Sequence, residues 1–205
     1  MVDDRLPQLG PELGLRLSAA RKEAGVGLRA LARQLGVSPG LISMVENGKI
    51  APSVSTLYAI ATTLGLSFDY LFHGQESPDH NPAEEDAAGE VQHEGQRPTV
   101  RLASGVRWER LTPVVRNDFE FLHVVYEVGG ASCEEGALLQ HGGQEYAYVL
   151  QGALGMTIGP KTSTLRPGDA ISFDAQTPHR IWNAGDEPAS AIWVVLQRRG
   201  DERTA

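Results

Sequence analysis

The chain has 205 residues, 41% of them hydrophobic, and a formal net charge of −8. This length suits one or two domains with hydrophobic cores, and no apolar run approaches the roughly 18 residues that a membrane span needs. The first ten residues, MVDDRLPQLG, show no secretory signal. The single cysteine, Cys133, excludes an internal disulfide and suits a reducing compartment. We therefore expect a cytoplasmic protein.

Helical patterns fill the first third of the chain. Apolar residues recur there at helical spacing, and Gly25, Gly36 and Gly65 follow the ends of three of these patterns. Pro52-Ser53 is a typical helix start. The expected helices span residues 13–24, 28–35, 39–47, 54–64 and 67–72.

The third of these helices has two different faces. Leu41, Ile42 and Val45 fall within about 100° of one another on a helical wheel. The opposite side carries small or amide side chains with no bulky charge, namely Pro39, Gly40, Ser43 and Asn47. Two helices joined by a short turn, the second with a small polar outer face, have the layout of a DNA-reading helix-turn-helix.

The run LARQLGVSPGLISMVENGKIAPSVSTLYAIATTLGLSFDYLF resembles the lambda-repressor-like helix-turn-helix family, the XRE or Cro/C1 type. The shared features are the helix spacing, the turn glycine, the E-x-G end of the third helix and the P-S start of the fourth. The resemblance implies a five-helix DNA-binding domain, for which we take residues 10–73. A small helical bundle that docks another protein is the alternative.

Wheel position and this resemblance together predict the residues that meet DNA. The third helix would enter the major groove, where its small polar side chains and Met44 face base edges. Basic residues on the flanking segments would meet phosphates and set the register, whereas Glu46 is given a structural role because a carboxylate would repel them. The predicted DNA-contacting residues are Arg29, Arg33, Ser38, Pro39, Gly40, Ser43, Met44, Asn47, Lys49 and Ser53.

Charge is divided unevenly between the two parts of the chain. Residues 12–65 carry six basic and three acidic side chains, whereas residues 74–205 carry 11 basic and 20 acidic ones. A mildly basic head can bind phosphate while an acidic body stays away from the duplex. Because a balance of +3 is weak alone, we expect a homodimer, held mainly by residues 99–197, that brings two heads to a double-stranded DNA operator.

Residues 74–98 interrupt the pattern with seven acidic residues, three prolines and almost no large apolar side chain. Such a stretch cannot bury enough surface to offset its ordering entropy, which predicts an acidic flexible linker. Short β-rich segments separated by turn residues follow it and predict an all-β sandwich or barrel. The expected strands span residues 119–128, 146–150, 154–158, 170–173, 180–182 and 191–196.

Two segments resemble the paired motifs of the cupin family, a small jelly-roll barrel. The first runs from His141 through Glu145 to Gly152, and the second from Gly168 through His179 to Asn183. This resemblance implies a cupin sensor and dimerisation domain over residues 99–200. Cupin metal sites use three histidines and one glutamate, but the usual first histidine falls on Leu139, and the usual proline and glycine of the second motif fall on Asp174 and Gln176.

Three ionisable residues therefore remain as candidates for the barrel site: His141, Glu145 and His179. Strand alternation would place His141 and Glu145 on one face, and two imidazoles with one carboxylate can bind a divalent metal such as zinc, iron or manganese. An apo pocket that hydrogen-bonds an organic effector is equally open. We leave the strand aromatics, Trp108, His123, Tyr126, Tyr148, Trp182 and Trp193, outside the predicted site.

The leading interpretation is a sequence-specific DNA-binding transcriptional regulator, without enzymatic activity, whose cupin domain binds a small-molecule effector directly or through a metal. Regulators that join such a helix-turn-helix to a cupin often have a first cupin motif with a single histidine, H-x-G-x-E. This chain has the same motif from His141 to Glu145. The alternatives are a metal-dependent isomerase or dioxygenase with a DNA-binding head, and a cupin used only for dimerisation.

Overall fold

A computed structural model describes residues 10–66, 68–73, 91–113 and 119–196. Within these ranges an N-terminal set of helices is followed by antiparallel strands in two sheets. The predicted fold class, a lambda-repressor-like helical domain followed by an all-β cupin barrel, is confirmed. No helix among the described residues is long and apolar enough to cross a membrane.

Five described helices match the expected ones to within a few residues at each end. Ser38 caps the third helix by accepting a hydrogen bond from the backbone N–H of Leu41 at 3.1 Å. Gly65 ends the fourth with a left-handed φ of 65°. The helices are α1 Gly10–Glu23, α2 Leu28–Gln34, α3 Pro39–Glu46, α4 Val54–Leu64 and α5 Phe68–His73.

The apolar stripes of these helices meet in one core. A side chain at Gly14 would bring its Cβ within 2.4 Å of the Val45 carbonyl oxygen, so this glycine permits the close approach of α1 to α3. Most residues of the predicted stripes are buried or half-buried, whereas Ala24, the last apolar residue of the first pattern, is exposed. The core of the helical domain includes Leu13, Leu17, Leu31, Ala32, Ile42, Val45, Leu57, Ile60 and Leu71.

Nine described strands form the second domain. A six-stranded sheet has the order β1-β2-β3-β9-β4-β7, and a three-stranded sheet has the order β6-β5-β8. Every pairing is antiparallel. The strands are β1 Thr99–Leu102, β2 Val106–Arg110, β3 Phe119–Tyr126, β4 Gln144–Gln151, β5 Leu154–Ile158, β6 Lys161–Leu165, β7 Ala170–Asp174, β8 His179–Asn183 and β9 Ala189–Leu196.

Three of these strands, β1, β2 and β6, have no counterpart among the strands delimited from the sequence. In β6 only Leu165 is buried, so the strand shows no alternation of apolar and polar residues. The strand predicted to run to residue 128 ends at Tyr126, because a turn begins there in which the N–H of Gly130 bonds the Glu127 carbonyl.

The predicted linker lies partly outside the described residues, at 74–90. Its described end contains a 3-10 turn over Glu94–Gln96. Next to that turn the guanidinium of Arg97 pairs with the Glu109 carboxylate of β2 at 3.1 Å. The domain boundaries at residues 73 and 99 stay predictions.

Candidate nucleic-acid interface and metal centre

The predicted reading face of α3 is open to solvent. Pro39, Gly40 and Asn47 are exposed, and Met44 is 41% exposed. Ile42 and Val45, on the other side of the helix, are buried in the domain core. The predicted reading face of α3 is therefore accessible from solvent, while its opposite face packs in the core.

Asn47 and Ser43 are joined to each other at the end of this face. The side-chain Nδ2 of Asn47 donates to the Ser43 carbonyl at 2.7 Å and lies 3.4 Å from the Ser43 hydroxyl. Asn47 is also the C-cap residue of α3. The Asn47 amide is therefore held by its own helix, an arrangement that helical spacing alone does not reveal.

Ser38 and Ser53 are helix caps. The hydroxyl of Ser53 accepts from the Thr56 N–H at 3.1 Å and lies 2.8 Å from the Thr56 hydroxyl. Each serine therefore lies at the N-terminal end of a helix, where the first N–H groups cluster, a position that suits phosphate oxygens. Arg29, Arg33 and Lys49 are exposed around the same surface.

Glu46 has the structural role that the sequence predicts. Its carboxylate binds the Arg21 guanidinium at 2.5 and 2.8 Å and accepts from the Ser18 hydroxyl at 2.9 Å. Burial alone would raise the pKa of Glu46, but these hydrogen bonds and the charges of Arg21 and Lys22 outweigh it and hold the pKa below its usual value. Arg21 is thus committed to the core between α1 and α3 rather than to DNA.

The three predicted barrel residues come together in space. His141 lies in the loop before β4, Glu145 on β4 and His179 at the start of β8. One ligand atom from each lies within 4.8 Å of the other two. His179 and Glu145 are buried, and Nε2 of His141 is 2.9 Å from Oε1 of Glu145.

The reason given for the meeting of His141 and Glu145 was wrong, although the meeting itself is found. Strand alternation cannot place them together, because β4 begins only at Gln144. Between them the chain bends at Gly143, whose φ is +104°. A Cβ at this glycine would lie 2.9 Å from the Leu196 carbonyl oxygen, so the bend needs glycine for space as well as for conformation.

Hydrogen bonds to backbone carbonyls set the tautomer of both imidazoles. Nδ1 of His141 bonds the Gly142 carbonyl and Nδ1 of His179 bonds the Thr177 carbonyl, each at 2.9 Å. A carbonyl oxygen can only accept, so each Nδ1 donates its hydrogen. The Nε2 of each neutral ring then carries a lone pair. Glu145 is oriented in turn by Trp193, whose Nε1–H donates to Oε2 at 2.8 Å.

This donor set fits a divalent cation. With His141 neutral, its Nε2 lone pair and the Glu145 oxygen are two acceptors 2.9 Å apart, and only a proton or a cation relieves that contact. Metal-binding histidines typically donate their second N–H to a carbonyl, as both do here. Burial lowers the pKa of His141, but the hydrogen bond and charge of Glu145 raise it above its usual value. Burial lowers the pKa of His179 more than Glu145 raises it.

The position of the missing histidine is filled by an apolar residue. Leu139 forms an isolated bridge with His179 and lines the barrel interior. Three donors are therefore available among the described residues of the barrel, and the fourth wall position contributes no ligand atom. Any metal held here would have open coordination positions.

Two residues outside the predicted site also belong to it. Trp193 orients Glu145, and Tyr58 of α4 stacks on His141 with ring centroids 4.4 Å apart and planes 18° apart. The sequence pattern gives Tyr58 no role in the barrel, because it lies on a helix of the other domain, at the margin of the α4 apolar stripe. An aromatic residue beside the apolar stripe of a helix is the signal that could have indicated a contact outside the helical domain.

Comparisons with known proteins agree with both halves of this description. A helix-turn-helix family profile matches residues 17–71 and a cupin domain profile matches residues 122–195. The chain therefore carries an XRE-type helix-turn-helix domain followed by a cupin domain. The resemblances on which the sequence analysis rested are thus confirmed.

Two relatives in Escherichia coli strain K12 match along most of their length. The HTH-type transcriptional regulator PuuR is 25% identical over 170 residues, 83% of this chain and 86% of that protein. The HTH-type transcriptional regulator SutR is 24% identical over 177 residues, 85% of this chain and 89% of that protein. The crystal structure of an HTH_3 family regulator from Vibrio cholerae has a TM-score of 0.63 at 22% identity, covering 93% of this chain and 98% of that one. That structural likeness shows the fold.

Proposed function

We propose that the protein is a sequence-specific transcriptional regulator whose barrel binds a small effector and thereby changes operator affinity. The observation that carries the DNA-binding part is the exposed, uncharged outer face of α3 next to Arg29, Arg33 and Lys49. Its relatives PuuR and SutR are named as transcriptional regulators, which supports the same class. This function places the protein with the DNA, in the cytoplasm.

Selection of binding sequences from random double-stranded DNA by the full-length chain tests this proposal. We expect a consensus with two half-sites about one helical turn apart, because two copies of α3 read successive major grooves. Footprinting should then protect both half-sites. A folded chain that enriches no sequence would contradict the proposal.

A dimer follows from the weak charge of one head, and the outer face of the larger sheet is the surface we assign to it. Tyr146 and Tyr148 on β4 are 42% and 48% exposed. Ile171, Ile192 and Val194 of the neighbouring β7 and β9 complete the apolar patch. Patches of this kind on a sheet commonly pair two copies.

Light scattering of the full-length chain measures the dimer directly. The double substitution Tyr146→Glu, Tyr148→Glu places two charges on the patch and should give monomers, whereas Thr62→Ala on the exposed side of α4 should not. A double variant that stays dimeric at micromolar concentration would move the interface elsewhere, for example to the helical domain.

The barrel part of the proposal rests on His141, Glu145 and His179, three ionisable groups where a packed core would prefer apolar ones. A divalent metal held by them would supply a Lewis-acid position for an oxygen or nitrogen atom of the effector. The two histidines direct their Nε2 lone pairs, and Glu145 its carboxylate, toward the same part of the barrel. A folded triple variant, His141→Ala, Glu145→Ala, His179→Ala, should lose the response of operator binding to cell extract, and a retained response would exclude the barrel as the sensor.

We further propose that the barrel senses rather than catalyses. The support is that the relatives are named as regulators and that a leucine stands where the fourth cupin ligand would be. Metal content after purification, together with an oxygen-uptake screen on the metal-loaded protein, tests this. Turnover that disappears with the triple variant would favour the isomerase or dioxygenase alternative.

A further inference from the structure

Tyr58 belongs to the helix-turn-helix domain, yet its ring lies in the mouth of the barrel. It stacks on the imidazole of His141 and meets the ring of Trp108 edge-on, at a centroid distance of 5.8 Å and an angle of 80°. The same cavity is lined by Val54 from α4 and by Glu145 and His179 from the barrel. One domain therefore supplies part of the wall of the other domain's site.

The space left beside Tyr58 is small. The cavity leaves about 30 Å³ for water-sized solutes. A single water needs about 10–15 Å³ by such a measure, whereas pockets for organic ligands have about 300–1,000 Å³. An ion or one or two waters fit next to the Tyr58 ring. An organic ligand does not fit until the ring leaves.

A second contact joins the same helix to the barrel at its N-terminal end. The N–H of Ala103, in the turn between β1 and β2, donates to the Pro52 carbonyl at 2.9 Å. The hydroxyl of Ser104 in that turn accepts from the N–H of Val54 at 3.3 Å. The first N–H groups of a helix are those that bind a phosphate, and here the barrel occupies one of them beside Ser53.

We propose that the docked helix-turn-helix domain and an organic ligand compete for the barrel mouth. The ligand enters by displacing Tyr58, and its entry releases α4 from the barrel and frees the N-terminal end of α4 for a DNA phosphate. The vacated surface is the face of His141 and the ring of Trp108, which favours a ligand with a flat conjugated group. The consequence for DNA rests on the proposed function, whereas the competition for space does not.

Binding of p-cresol, the tyrosine side chain as a free molecule, tests the competition. The variant Tyr58→Ala should bind p-cresol saturably and at least tenfold more tightly than the unsubstituted protein, read from tryptophan fluorescence and a raised unfolding temperature. Tyr58→Phe keeps the ring and should bind p-cresol more weakly than Tyr58→Ala. Thr62→Ala, an exposed change on the same helix, serves as the control. Equal affinity of Tyr58→Ala and the unsubstituted protein would overturn the competition.

Hydrogen exchange of the full-length chain tests the release of α4. The amide of Ala103 reports docking because it bonds Pro52 across the two domains. Its protection should fall at least tenfold in Tyr58→Ala and by less in Tyr58→Phe, which keeps the stacked ring. Protection of amides within α1 and α3 shows that the helical domain of each variant is folded. Unchanged protection at Ala103 in a folded Tyr58→Ala would overturn the coupling.

Operator binding completes the test with a separate readout. Tyr58→Ala should bind the selected operator at least fivefold more tightly than the unsubstituted protein, within the range of about 5- to 150-fold that allosteric coupling typically spans. Equal or weaker binding would overturn the proposed release toward DNA. Failure to select any operator would instead contradict the proposed function, while the cresol and exchange results would still decide whether Tyr58 closes the barrel.

Discussion

The helical domain and the barrel site differ in how far apart along the chain their functional residues lie. The predicted DNA contacts all fall between Arg29 and Ser53, from α2 through α3 to the cap of α4. The barrel site joins Tyr58, His141, Glu145, His179 and Trp193, which come from four separate stretches of the chain. A surface built within one motif can be recognised from spacing, whereas a site built across the fold depends on contacts that spacing does not encode.

Within the helical domain, a buried and an exposed carboxylate should contribute very differently to stability, and this contrast gives the largest expected effect. Glu46→Ala would leave the Arg21 guanidinium buried without its carboxylate, which typically destabilises by about 3–5 kcal/mol. Denaturant unfolding of the helical domain measures this cost. The matched control is Glu12, which is 63% exposed and pairs with Arg16; because Arg16 also donates to the Leu71 carbonyl, Glu12→Ala should cost only about 0–1 kcal/mol. A similar loss of unfolding free energy in the two variants would contradict the structural role of Glu46.

Base reading by α3 should follow from two neighbouring residues. Ser43→Ala and Asn47→Ala should each relax sequence preference, and each good base contact is worth about 1–3 kcal/mol of discrimination. Because Nδ2 of Asn47 also lies 3.4 Å from the Ser43 hydroxyl, the double variant should cost less than the sum of the single ones. Repeated binding-site selection with each variant measures the change. An unaltered consensus would mean that α3 is not the reader.

The metal affinity of the barrel should depend on a residue that binds no metal. Trp193→Phe removes the donor to Oε2 of Glu145, and losing such an orienting hydrogen bond typically costs 10- to 100-fold in metal affinity. Titration with cobalt followed by visible absorption measures it. Trp182→Phe, on the smaller sheet, is the matched tryptophan control. Equal affinities in the two variants would show that Trp193 does not position the glutamate.

Phosphate binding should show a smaller and more uniform effect. Lys49→Ala should weaken all DNA sequences to a similar extent and lower the slope of log affinity against log salt by about one, because one cation is released for each phosphate contact. Fluorescence anisotropy over a range of salt concentrations measures the slope. Lys22→Ala, on α1, should leave it unchanged. A slope unaffected by Lys49→Ala would show that Lys49 makes no phosphate contact.

Acid should lower the free energy of unfolding of the helical domain, because the Glu46 carboxylate loses its charge as pH falls. The pKa of Glu46 is held below its ordinary 4.5 when folded, so the pair with Arg21 stabilises above that value. This stability is lost as pH falls from there through the folded pKa. Unfolding temperatures measured between about pH 6 and pH 3 should fall less steeply in Glu46→Gln. Identical pH profiles would exclude this contribution.

Sequence alone determined much of the helical domain and the membership of the barrel triad. Helix stripes, caps and the turn at Gly36 act within a few residues, so their pattern predicted α1 to α5 closely. The two cupin motifs selected His141, Glu145 and His179, which the fold brings within 4.8 Å of one another. The exposed strand β6 was not predicted, because it faces solvent on both sides and its residues do not alternate between apolar and polar.

Only the tertiary structure decided what surrounds that triad. The bond from Trp193 to Glu145 joins residues 48 apart in the chain. The stacking of Tyr58 on His141 joins one domain to the other. Each depends on how sheets and domains pack rather than on any local preference of the residues, since an aromatic side chain at a helix margin fits its own helix equally well with or without a partner. The arrangement of the barrel mouth, and with it the proposed competition, is therefore a property of the folded chain.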